Sequence, residues 1–187
     1  MDQNVFLTEL GKVTKEELAI RNMAKNVHAS VNQYYGNNHE YAYHINKVAY
    51  FVASYLHLIL NNPEDILPVI FGAYFHDSIE DARLTYNDVM KIAKEYMNDE
   101  QAFLATEIVY ALTNEKGRNR HERANGKYYE GIRNIPYAPL VKACDRLANY
   151  EYSKSTEGNT SMRKAYEKEM DEFIFKLTDF GDRKSVV

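Results

Sequence analysis

Apolar positions recur at helical spacing along almost the whole chain, and no two alternating runs are joined by a hairpin signal such as Asn-Gly, so the pattern predicts an all-α fold. Thr14 followed by Glu17 has the spacing of a capping box and opens a predicted helix that runs to about Val31, where the polar stretch NQYYGNNHE ends it. From about Tyr41, the side chains of His44, Val48, Phe51, Val52, Tyr55 and Ile59 fall on one stripe at about 100° per residue. Lys47, Ser54 and His57 fall on the other side, which turns His44 toward the core. Asn62 and Pro63 read as the cap and first turn of a helix that carries ILPVIFGAYFHD. Thr85 and Asp88 repeat the capping-box spacing before VMKIAKEYM, and EQAFLATEIVYALT is apolar over a broad face. The segment NEKGRNRHERANGKYYEG breaks the period and reads as a mobile basic loop. Helices over about 138–151 and 162–177 then complete one domain spanning 1–187, with a frayed tail, GDRKSVV. There is no internal repeat, low-complexity tract or linker.

Composition narrows the class. At 187 residues and 45% hydrophobic, the chain is long enough for a single core that buries roughly 70% of its unfolded surface. A net charge of −4 argues against general nucleic-acid binding, which needs a surplus of Lys and Arg. The single cysteine, Cys144, excludes an internal disulfide or a cysteine zinc cluster and suits a reducing compartment. The N-terminus lacks a basic segment followed by an apolar one, and the mostly apolar run 48–60 is too short to span a bilayer. A cytoplasmic protein without a membrane partner is expected; the pattern specifies no oligomeric state. The sixteen tyrosines suit either amphipathic packing or stacking on a base.

Chemistry concentrates in FHDSIED, residues 75–81, behind the apolar run. If 69–82 is helical, His76, Asp77, Glu80 and Asp81 project at about 0°, 100°, 40° and 140°, all on one side. Three acids so close raise one another's pKa unless a cation or a solvated face relieves them. A divalent metal resolves the conflict, and a mixed imidazole and carboxylate set accommodates Mn²⁺, Fe²⁺, Co²⁺ or Zn²⁺, with Mg²⁺ favoured by carboxylates alone. Two further ligands are available from elsewhere: His44 on its inward stripe, and Asp145 within the apolar run LVKACDRLA. Each has a plainer alternative, His44 as a hydrogen-bonded core residue and Asp145 as a partner of an arginine such as Arg146.

The order His44, His76-Asp77, Asp145 resembles the H…HD…D signature of the HD-domain metal-dependent phosphohydrolases. HDSIED is similar to the H-D-x-x-E-D motif of the RelA/SpoT-homologue alarmone hydrolases, and VKACDRLAN to their motif around D-R-L-x-N. The flanking segments AKNVHAS, YAYHINKVA and EIVYALTNEKG extend the likeness over about 24–150, with no length left for a synthetase domain. The resemblance implies an all-α HD bundle of the small, hydrolase-only type. It implies that His44, His76, Asp77 and Asp145 hold one divalent ion, Mn²⁺ in the family, which acts as a Lewis acid and makes hydroxide available near neutrality.

Glu80 and Asp81 match the family's acid pair, implied to orient or deprotonate the attacking water; the plainer reading is that they solubilise the helix end. Asn149 matches the asparagine that contacts substrate ribose, and Lys142 either touches phosphate or pairs with an acid. Arg118, Arg120, Arg123 and Lys127 would clamp a polyphosphate, or simply solvate their loop. His28, His39, His57 and His121 have no ligand spacing. Two features depart from the family: no Lys or Arg lies between His28 and Asn46, where an Arg-Lys pair is usual, and His44-Ile45 replaces His-Pro. The expected substrate is therefore a phosphorylated nucleotide, first a guanosine 3′-pyrophosphate (ppGpp), then a 2′- or 3′-phosphorylated nucleotide such as NADPH, then a nucleoside monophosphate. The alternative of another class is a non-catalytic nucleotide-binding HD module.

Overall fold

The computed structural model describes residues 1–114, 122, 124–155 and 157–178. Among them are nine α-helices: α1 (Gln3–Lys12), α2 (Thr14–Ser30), α3 (Ala42–Tyr55), α4 (Ile66–Phe75), α5 (Tyr86–Ala93), α6 (Asp99–Leu112), α7 (Gly126–Asn134), α8 (Ala138–Lys154) and α9 (Thr160–Thr178). The all-α expectation holds, with one small addition. Tyr34–Tyr35 (β1) pairs antiparallel with His39–Glu40 (β2), Tyr35 opposite His39. Gly36 and Asn38 turn this hairpin with positive φ, conformations that Gly and Asn adopt at little cost.

Helix α4 is the hub. All ten of its residues are buried, and a helix that is apolar on every side can only sit inside a bundle. Helices α2, α3, α6 and α8 pack around it. Pro68 falls in its first turn, where a missing N–H costs nothing. Gly72 lets α6 approach closely: a Cβ there would stand 2.6 Å from Ile108 Cγ2. Phe71 and Phe75 stack one turn apart, ring centroids 4.3 Å from each other.

Several local expectations are met. The Thr85 and Asp88 capping box forms at α5, and Asn98 with Gln101 makes a second at α6. The Asn62 side chain accepts from the Glu64 N–H, although the turn it caps is a short 3-10 helix (Pro63–Asp65) leading into α4. Others are corrected. Thr14 caps nothing, because α1 runs almost directly into α2; its hydroxyl donates back to the Leu10 and Gly11 carbonyls. The α3 stripe stays buried through Val52, but Tyr55 and Ile59 are exposed. The chain tightens into a 3-10 turn at Leu56–Leu58, which shifts the phase and buries Leu56 and Leu60 instead. The second half of the expected loop, from Gly126, is helix α7, capped by the Asn125 side chain on the Tyr128 N–H, with Tyr128, Tyr129 and Ile132 buried. No helix is long and apolar enough to cross a membrane among the described residues.

Candidate metal centre

The helix expected over 69–82 ends at Phe75, and 76–81 continue as turns. A side-chain bond accompanies the break: His76 Nδ1 lies 2.8 Å from the Ala73 carbonyl, the acceptor that the Asp77 N–H would take in a continued helix. The bond also fixes the tautomer, since Nδ1 must donate, and it aims Nε2 at the space between α3, α4 and α8. Leaving the helix there separates the two acids that the helical projection had placed together. Asp81 stays beside Asp77, while Glu80 turns away to accept from Asn114 Nδ2 at 2.7 Å, beyond the end of α6.

Four side chains from three helices and their ends converge. One ligand atom each from His44, His76 and Asp145, all three buried, lie within 4.8 Å of one another. His44 Nε2 is 3.3 Å from His76 Nε2 and 3.3 Å from Asp145 Oδ1. Asp77 Oδ2 adjoins the group, 2.9 Å from His76 Nε2 and 3.7 Å from His44 Nε2. Ligand atoms about 2.1 Å from one cation are separated by about 3.0–3.4 Å in octahedral or tetrahedral arrangement, so this spacing is close to what a shared ion needs. The buried His44, His76 and Asp145 group could hold a metal ion, and its donor set is the mixed imidazole and carboxylate kind that first-row divalent ions take.

The electrostatics point the same way. Burial alone would lower the His44 imidazole, yet its hydrogen bonds to Asp145 and Asp77, with their charge, raise it to about 9. His76 is likewise raised against its burial, chiefly by the Asp77 charge. Burial opposes ionisation of both acids and is outweighed. Asp77 is held well below the carboxylate range by the two imidazoles, and Asp145 by the Lys142 ammonium and the His44 bond. Asp77 is thus kept ionised by the two imidazoles, and Asp145 by the Lys142 ammonium together with the His44 bond; a divalent cation would take the place of the imidazole protons, so metal and protons compete.

Surrounding groups hold the four in place. Lys142 Nζ donates to Asp145 Oδ2 at 2.9 Å, so it pairs with the acid. Asn149, one turn after Asp145, donates through Nδ2 to Asp145 Oδ1 at 2.6 Å and accepts from Tyr35 Oη through Oδ1 at 2.8 Å. The Tyr35 ring stacks on His44 with centroids 4.7 Å apart and planes 14° from parallel. That stack orients His44, whose Nδ1 is buried without a hydrogen-bond partner. Tyr41 Oη lies 2.5 Å from Asp77 Oδ2 and 3.1 Å from Asp81 Oδ2, and Gln33 Nε2 donates to Asp81 Oδ2 at 3.1 Å. Burial and the Asp77 charge push Asp81 up from the usual carboxylate value. A recess of about 120 Å³ opens beside Asp145, with Lys142, Asn149, Arg146, Tyr128 and Tyr166 in its wall.

Arg118, Arg120, Arg123 and His121 lie outside the described residues. Lys127 stands in the first turn of α7 and lines a wider cleft with Asn114 and Tyr128, apart from the four converging side chains. Arg146 stacks over Tyr166 and Phe173 and pairs with Glu169, not Asp145, so that alternative for Asp145 does not form. The sequence pattern gave Tyr35, Gln33 and Tyr41 no place in the metal centre. Tyr41 alone carried a local signal, standing at the start of the helix that holds His44. Comparison with protein-family models, curated proteins and solved structures finds no match to this chain.

Proposed function

We propose that this chain is a metal-dependent phosphohydrolase of phosphorylated nucleotides, with Mn²⁺ as its ion and a guanosine 3′-pyrophosphate as first substrate, split to release pyrophosphate. The observation that carries the reading is the convergence of His44, His76 and Asp145 within 4.8 Å, with Asp77 adjoining. A divalent ion held by His44, His76, Asp77 and Asp145 would supply Lewis acidity and make hydroxide available near neutrality. The chain's own residues supply the rest. Asp81, raised from its ordinary value by burial and by the Asp77 charge, suits a group that takes a proton from the attacking water. Lys142, half-buried against Asp145, holds that carboxylate ionised and in one orientation. Glu80 anchors the turn to Asn114, where the basic segment begins, and so acts by position.

A nucleotide suits the surroundings. Tyr35, Tyr43, His39 and Tyr152 form an aromatic cluster beside His44, with Tyr35 and Tyr43 stacked at 6.0 Å and His39 and Tyr43 at 4.8 Å. Planar faces with hydroxyl edges match a purine and its ribose. The basic residues 116–127 match a polyphosphate by charge.

The test is a turnover screen of the purified chain with Mn²⁺ against ppGpp, NADPH and nucleoside monophosphates, run beside Asp77→Asn. Metal-stimulated release of phosphate or pyrophosphate that falls to background in the variant is expected. Undiminished turnover in Asp77→Asn refutes the metal assignment, and tight nucleotide binding without product points to a binding module.

A further inference from the structure

We infer that Tyr41 is a positioning residue of the metal centre: its hydroxyl fixes the rotamer of Asp77 and joins it to Asp81, while its ring is clamped on His28. The inference rests on the reading of His44, His76, Asp77 and Asp145 as metal ligands. His76 and Asp77 both stand past the last residue of α4, on a turn. His76 is tied back to the helix by its Nδ1 bond to the Ala73 carbonyl, whereas the Asp77 side chain makes its contacts with Tyr41, His44 and His76. The nearest group to its carboxylate is a phenol from the start of α3, 36 residues earlier, at 2.5 Å, ahead of His76 Nε2 at 2.9 Å.

A phenol has one hydrogen and here faces two carboxylates. At 2.5 Å from Asp77 against 3.1 Å from Asp81, the hydrogen belongs to Asp77. Asp81 has its own donor in Gln33 Nε2, so the second acid is held without drawing that hydrogen away.

The far side of the ring explains why it stays there. Tyr41 is buried and stacks on His28 with centroids 4.3 Å apart and planes 25° from parallel. His28 is itself 1% exposed, and neither ring nitrogen has a hydrogen-bond partner. Leaving both nitrogens unpaired in the interior is costly. Burial pushes this imidazole down to about 4, so it is neutral near pH 7 and serves as a flat face for Tyr41. On its other edge Tyr41 meets the His44 ring at 5.6 Å. One side chain therefore touches the ligands of α3 and of the turn after α4 together.

The experiment measures metal affinity, independent of turnover. Metal-stripped full-length wild type and Tyr41→Phe are titrated with Mn²⁺ by calorimetry and with Co²⁺ by visible absorption. Groups that orient a ligand typically cost 10–100-fold in affinity when removed. Tyr41→Phe is expected to bind about 10–100-fold more weakly, with displaced Co²⁺ bands that a merely structural role would leave in place. If Tyr41→Phe fails to fold, the double variant Tyr41→Phe/Asp81→Asn relieves the repulsion the hydroxyl had screened while still lacking the donor. The same weakening is expected there. A loss of less than about tenfold with unchanged Co²⁺ bands overturns the role of Tyr41 and leaves the metal centre standing. Wild type that binds neither ion overturns the metal centre, and this inference with it.

Discussion

Replacing Asp145 by Asn tests the centre through its effect on thermal stability. The carboxylate has four partners: Lys142 Nζ at 2.9 Å, Asn149 Nδ2 at 2.6 Å, His44 Nε2 at 3.3 Å and His76 Nε2 at 3.8 Å. Asn keeps the shape and loses the charge. Without metal, the variant leaves the half-buried Lys142 ammonium without its counter-ion, a loss of at most about 3–5 kcal/mol, reduced because the ammonium is partly exposed and Asp77 no longer faces a second carboxylate. Metal adds a separate quantity. A ligand that binds only the folded state, at a free concentration 100 times its Kd, stabilises by about 2.7 kcal/mol. In a chain of this length each kcal/mol moves the melting point by about 2–4 °C, so wild type should rise by about 5–10 °C when Mn²⁺ is added to chelator-treated protein. Each protein is compared with its own metal-free melting point in differential scanning fluorimetry, so the lower baseline of the variant does not enter. Asp145→Asn should lose most of the shift, while Asp99→Asn, on the exposed start of α6, should keep it. A full shift in Asp145→Asn would refute the claim that Asp145 binds the ion.

Two further outcomes follow from groups away from the ligands. His28 has a folded pKa of about 4 against an unfolded value of 6.5, so between those values the unfolded chain binds more protons and stability falls as pH drops from 6.5 toward 4. The loss from this residue reaches about 3 kcal/mol. His28→Phe, which keeps a flat ring against Tyr41, should flatten that part of the curve in urea unfolding at a series of pH values; an unchanged slope assigns the acid loss elsewhere. Gly36 has φ +54°, and a Cβ there would collide with the Tyr152 hydroxyl. Gly36→Ala should lift the hairpin from α8, seen as faster amide exchange at Tyr35 and His39 with α4 unchanged, and equal exchange in both proteins would contradict the seating of Tyr35.

Much of this was legible in the sequence because it is local. Helix type follows from apolar spacing, and the Thr85 cap from two residues three apart. His44 was read as inward from its own helix stripe, and it is 2% exposed. His76 and Asp77 stood out because acids behind ten apolar residues need a reason to be there. What the spacing could not supply was the end of a helix. The pattern ran on through Asp81, but the His76 side chain occupies the Ala73 carbonyl and the chain turns, sending Glu80 to Asn114 and leaving Asp81 with Asp77. That outcome depends on a side chain competing with the backbone, which no hydrophobic period records.

The sequence alone therefore determined the helical class, the buried position of His44, and which residues are chemically able to hold a cation. Only the tertiary structure decided that His44, His76, Asp77 and Asp145 meet, and which neighbours orient them. Tyr41 reaches Asp77 across 36 positions and Tyr35 reaches Asn149 across 114. Such contacts arise from packing α3, α4 and α8 around one apolar hub. Their partners are chosen by burial and by the need of each buried polar group for a mate, conditions that exist only once the chain has closed on itself.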